Sequence, residues 1–167
     1  MKTQGPHYRV PFRRRREGRT DYRHRAGMLR AGVPRAVVRK TLNQTLVQLV
    51  TADPKGDRIL ASARSFDLRE FGWSVGAGNV PAAYLTGFLA GKRAKAGGVS
   101  RAILDIGRHK PTKGGRLFAA LQGLVDAGLE IPRGEEILPS AERIRGAHIG
   151  DGLGKLFDDV KKKLEAS

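Results

Sequence analysis

Apolar positions along this 167-residue chain change their period several times, and each change marks an element. Residues 1–20 show no period at all and include Gly5, Pro6, Pro11 and Gly18, so they read as an extended arm that orders on a partner. A short helix fits residues 20–31, capped by Thr20 or Asp21 and given an apolar edge by Met28 and Leu29, before Gly32, Val33 and Pro34 stop it. Two β-runs follow over 36–39 and 41–52, with Leu46, Val47, Leu49 and Val50 in the second and Asn43 and Gln44 at the turn between them. Asp53, Pro54, Lys55, Gly56 and Asp57 form the strongest turn signal, and a third strand runs over 58–65. A connector over 66–78, with room for one helical turn, holds Trp73.

The period then lengthens. Residues 79–96 predict a helix capped by Asn79, with Pro81 in its first turn and Ala82, Leu85 and Leu89 at helical spacing, ended by Gly97 and Gly98. A short strand over 101–107 and a helix over 117–129 come next, the helix with Leu117, Phe118, Leu121, Leu124 and Val125 on one side. After a Pro- and Gly-punctuated stretch, 131–150, a last helix covers 152–166. Three strands, a helix, a strand and a helix predict an α/β fold. Its mixed sheet has three antiparallel strands, then a strand between helices, with the helices packed on it. An extended basic N-terminal arm and a C-terminal helix are appended. The units so defined are 1–31, the arm and short helix; 32–130, the α/β body; and 131–167, the loop and last helix.

Charge changes the picture at one end. Of the 32 Lys and Arg, thirteen fall in the first forty residues against two acids, Glu17 and Asp21, so this quarter carries +11 of the net +16. At its centre stand Arg13, Arg14, Arg15 and Arg16. Guanidinium forks match phosphate oxygens in pairs and stack on bases, which an ammonium does not do. With Arg19, Arg23 and Arg25 following, and Tyr8, Phe12 and Tyr22 interleaved, the arm combines phosphate neutralisation with stacking platforms, the mixture that binds RNA. If it meets about 6 to 10 phosphates, affinity falls about 10³- to 10⁵-fold between 50 and 200 mM salt.

Catalytic chemistry finds no comparable support. The chain has no Cys, which closes disulfides, thiolate metal sites and Cys nucleophiles. Its four histidines, His7, His24, His109 and His148, form no i,i+4 pair suited to zinc. Residues 107–115 lie between a strand and a helix, where phosphate loops occur, yet lack the Walker spacing, and 76–81 fails the context of a dinucleotide fingerprint. Asp105 reads better as a solvent-facing or Arg-paired residue than as a catalytic carboxylate, since no second acid stands nearby. Glu135, Glu136, Asp158 and Asp159 read as exposed charges. No apolar run suits a signal peptide or a membrane span, so the expectation is a soluble intracellular protein.

Several blocks in order carry a resemblance. Arg13 to Tyr22 form the first, and Val37, Val38, Arg39, Lys40, Thr41, Leu42 and Asn43 the second. Then come Asn79, Val80, Pro81, Ala82, Ala83, Tyr84, Leu85, Thr86 and Gly87, followed by Ile103, Leu104, Asp105, Ile106 and Gly107, and by Asp126 to Pro132. Together they resemble the 5S-rRNA-binding protein of the large ribosomal subunit in its archaeal form, universal family eighteen, over about residues 8 to 150. The resemblance implies a structural protein in the cytoplasm on the ribosome, without catalysis or cofactor. It would anchor 5S rRNA to the large rRNA in the central protuberance, beside neighbouring ribosomal proteins. RNA contact is implied at Arg9, Arg13, Arg14, Arg15, Arg16 and Arg19 of the arm, at Tyr22, Arg23 and Arg25 of the short helix, and at Arg39, Lys40 and Asn43. Tyr84 and Leu85 would belong to the core, and the match thins after about residue 150. A non-ribosomal assembly or processing factor with a similar arm is the other RNA-binding reading, and a nucleotide-dependent enzyme using 107–115 is a distant third.

Overall fold

The computed structural model describes residues 5–150 and 152–166, so the first four residues of the expected arm lie outside them. The arginine run is not extended. It forms a helical turn, α1 (Arg13–Arg16), in which the Phe12 carbonyl accepts the N–H groups of Arg15 and Arg16 at 3.0 and 3.1 Å. Glu17 offsets the local repulsion, with a carboxylate oxygen 2.7 Å from Arg19 Nε and another 3.8 Å from Arg13 Nε. Gly18 then reverses the chain at φ +61°, and Arg14 Nε donates to Thr20 Oγ1 at 3.0 Å. Next comes α2 (Tyr22–Leu29), for which Asp21 rather than Thr20 supplies the cap, accepting from the N–H groups of Arg23 and His24 at 3.0 Å each.

Three consecutive runs pair antiparallel as β1 (Arg35–Lys40), β2 (Thr45–Thr51) and β3 (Arg58–Arg64). The register sets Ala36 opposite Leu49, Val38 opposite Val47, and Ala63 and Ala61 beyond them, so one face is uniformly apolar and buried. A register shift between Leu49 and Val50 lets both be buried. On that face lie α3 (Val80–Ala96) and α4 (Arg116–Asp126), while β4 (Ile103–Asp105) between them pairs parallel to β1, giving the order β3-β2-β1-β4.

Asn79 Oδ1 caps α3 by accepting the Ala82 N–H at 2.8 Å. Every residue of this helix from 80 to 91 is buried, so it runs through the core instead of presenting one apolar stripe. Glycines set how closely α3 and α4 pack. A Cβ on Gly87 would fall on the Ala120 carbonyl, 2.8 Å from its carbon, and one on Gly123 would lie 2.8 Å from Phe88 N. Tyr84 and Leu85 are core residues, the Tyr84 hydroxyl donating to Asp126 Oδ2 at 2.6 Å.

Beyond residue 131 the punctuated stretch conceals a five-residue helix, α5 (Ala141–Arg145), capped by Ser140 and stopped by Gly146 at φ +84°. It is too short for a periodicity window to register. The last helix, α6 (Leu153–Ala166), buries Leu153, Phe157, Val160 and Leu164 in the same core as the sheet. Lys92 Nζ donates to the carbonyls of Leu164 and Glu165 at 2.8 and 2.7 Å, placing a cation at the negative end of α6. No described helix is long and apolar enough to cross a membrane.

Candidate nucleic-acid interface

Two carboxylates decide how the basic segments assemble. Asp57 closes the turn before β3 and Asp105 ends β4; between them stands Arg35, whose side chain is only 3% exposed. A buried guanidinium needs paired acceptors. Arg35 Nη1 donates to Asp105 Oδ2 at 2.7 Å, and Nη2 to Asp57 Oδ2 at 2.6 Å. Two more arginines extend this pairing outward. Arg25 of α2 forks onto Asp57 at 2.9 and 2.6 Å. Arg39 reaches Asp105 Oδ1 at 3.0 Å and the Asp105 carbonyl at 2.6 Å. Arg25, Asp57, Arg35, Asp105 and Arg39 thus alternate in sign along a row that ties α2 to the sheet.

The Arg25 fork holds the Asp57 carboxyl below its ordinary value. Burial pushes Asp105 up, but the charge and hydrogen bond of Arg39, the Gly107 N–H at 2.8 Å and Arg35 outweigh it and leave the carboxyl depressed. Asp105 is therefore the Arg-paired residue of the two readings and not the solvent-facing one.

The arginines expected to act together divide into two groups. Arg14, Arg19, Arg25 and Arg39 line one cleft of about 130 Å³, which Arg35 and Arg108 also line. Arg9, Arg13, Arg15, Arg16 and Arg23 are exposed outside it, with Tyr22 and the 86%-exposed Phe12 among them. Lys40 and Asn43 lie at the far end of β1. There the Lys40 N–H donates to His109 Nε2 at 3.4 Å. Asn43 stands on a turn clamped by Arg116 Nη1, which donates to the carbonyls of Thr41, Leu42 and Gly78 at 3.0, 3.3 and 2.9 Å. Burial, and then the charges of Arg39, Lys40 and Arg116, keep His109 below the usual histidine value, consistent with a neutral ring that accepts.

Sequence reasoning missed the loop between β4 and α4. Arg108, His109, Lys110, Lys113 and Arg116 fall there with no acid between Asp105 and Asp126, a signal that could have found it had the loop not been tested only as a nucleotide motif. It missed Arg35 too, since a single arginine opening a strand gives no hint of burial. On the sheet face opposite the helices, the cross-strand rows Val37, Gln48, Ser62 and Arg39, Leu46, Arg64 remain half-buried or exposed.

An α/β body with its helices on one face, and arginines from the arm, α2, β1 and the β4–α4 loop gathered at its other side, defines a polyanion-binding protein of the nucleic-acid class. Residues 6–98 and 94–134 match the family described as ribosomal large subunit proteins 60S L5 and 50S L18. The chain belongs to this family, and is a structural protein of the large ribosomal subunit and not an enzyme. It is 52% identical over 156 residues to the large ribosomal subunit protein uL18 of Natronomonas pharaonis, covering 93% of this chain and 85% of that one. To the uL18 of Haloarcula marismortui it is 53% identical over 147 residues, 88% of this chain and 79% of that one.

Proposed function

We propose that the chain binds 5S rRNA and holds it against the large-subunit rRNA in the central protuberance, in contact with neighbouring ribosomal proteins. The carrying observation is the convergence of exposed and half-buried arginines from four segments beside an uncovered sheet face. Arg9, Arg13, Arg14, Arg15, Arg16, Arg19 and Arg23 supply phosphate contacts along the arm, and Tyr22 supplies a stacking surface. Arg25 and Arg39 act differently: each is bound to a carboxylate and contributes a fixed, directed charge. Lys40 and Asn43 extend the contact to the clamped turn. Family membership supports the ribosomal setting over a free-standing assembly factor.

Competition binding of labelled 5S rRNA tests the reading. The full chain should prefer 5S rRNA to transfer RNA and to heparin of equal charge, with affinity falling steeply as salt rises. Equal affinity for heparin would remove it. A chain that leaves large subunits in a high-salt wash would instead fit the assembly-factor alternative.

A further inference from the structure

The cleft beneath the arm is built more specifically than a diffuse basic surface requires. Six arginines line it or border it, namely Arg14, Arg19, Arg25, Arg35, Arg39 and Arg108. Four carboxylates face them: Glu17 pairs with Arg19, Asp57 with Arg25 and Arg35, Asp105 with Arg35 and Arg39, and Asp21 is occupied by the N–H groups that it caps. Six arginines against these four carboxylates leave a net surplus of two positive charges, and Arg14 and Arg108 are the two that form no salt bridge among the described residues, the Asp21 charge acting on Arg108 from across the cleft. Arg35, almost wholly buried, keeps a further Nε–H with no acceptor there. A buried donor left without an acceptor is costly, so an oxyanion that reached it would be favoured.

Two glycines shape the walls. Gly18 has φ +61°, and a Cβ on it would lie 2.9 Å from Arg108 Nη1; Gly107 has φ +60°, and a Cβ there would lie 2.8 Å from Arg39 Cζ. At both positions a guanidinium rests against bare backbone in a conformation that other residues rarely adopt. The cleft, about 130 Å³, has room for one tetrahedral oxyanion.

We propose that this cleft is a socket for a single phosphate group, filled by one backbone phosphate when RNA is bound, with Arg14 and Arg108 as its charge-matching donors. It rests on the RNA-binding reading for the source of the phosphate, but not for the chemistry of the socket. Arm, α2, β1 and the β4–α4 loop all contribute walls, so one anion draws the four segments together.

Thermal unfolding of the full chain in inorganic phosphate against chloride at matched ionic strength tests the socket. The wild type should gain several degrees, and an Arg15→Gln/Arg16→Gln chain, altered outside the cleft, should gain as much. An Arg14→Gln/Arg108→Gln chain should lose that increment. So should Gly18→Ala, which leaves every charge in place and displaces Arg108. For 5S rRNA, the Arg14→Gln/Arg108→Gln chain should show a log–log salt slope shallower by about 1, the share of one phosphate. Equal phosphate increments in wild type and Arg14→Gln/Arg108→Gln overturn the socket. Retention of the increment by a chain with no preference for 5S rRNA supports the socket while removing the RNA reading. A wild-type salt slope in Arg14→Gln/Arg108→Gln overturns the socket's role in RNA binding and leaves that reading intact.

Discussion

Replacing Asp105 with Asn removes one charge from the centre of the ion row while keeping its shape. In the wild type the two carboxylate oxygens accept from Arg35 Nη1, Arg39 Nη2 and the Gly107 N–H at 2.7, 3.0 and 2.8 Å. An amide offers one oxygen and a pair of donors, so one arginine would face an N–H group. Arg35 has no route to solvent at 3% exposure, and removing one partner of a buried ion pair costs about 3–5 kcal/mol. Since Asp57 still holds Arg35 on its other side, the lower figure is expected, and a fall in Tm of roughly 6–12 °C for a chain of this length. Urea denaturation at pH 7 measures the loss. The pH dependence adds a sign. Because folding depresses the Asp105 carboxyl, its contribution is complete above about pH 4 and disappears as pH falls through the lowered folded value. Wild type and Asp105→Asn should therefore converge in stability below about pH 4. A loss under about 1 kcal/mol at pH 7, or a gap that stays constant into acid, would refute the buried-pair argument.

Other perturbations separate packing from binding. Gly87→Ala raises intrinsic helix propensity by about 1 kcal/mol, yet its methyl would meet the Ala120 backbone, so overpacking of about 1–3 kcal/mol or more should make the net effect destabilising; a higher Tm would contradict this. Leu85→Ala, at a fully buried site, should cost about 2–5 kcal/mol in denaturant melts, and an unchanged midpoint would mean that α3 is not packed as described. Converting Arg13, Arg14, Arg15 and Arg16 to Ala should weaken 5S rRNA binding and flatten its salt dependence while circular dichroism of the body stays the same, because α1 buries no side chain. An unfolded body in that variant would show that the arm supports the core.

Local signals sufficed where the chain's own neighbours determine conformation. The Asn79 cap, Pro81, the turn at residues 53–57 and the alternation along β2 are all encoded within a few residues, and the corresponding elements form within a few positions of their expected limits. The arginine concentration likewise marks the binding end from composition alone, because net charge needs no fold to be counted. Within the described arm the helical turn at residues 13–16 departs from the expected extended course, and Glu17, which pairs with Arg13 and Arg19 across the turn, offsets the repulsion there.

What no window of sequence contained was partnership at a distance. Arg39 and Asp105 lie sixty-six positions apart, and Arg25 and Asp57 thirty-two, so only the folded chain, with β4 beside β1 and α2 against the turn before β3, could show that two expected phosphate ligands are held by acids. The same closure set Arg108 against Gly18 and joined α6 to the core. Charge, caps and turns belong to the sequence by itself, whereas the pairing of charges and the shape of the space between them came from tertiary structure, since a Coulomb or packing contact depends on distance in space and not along the chain.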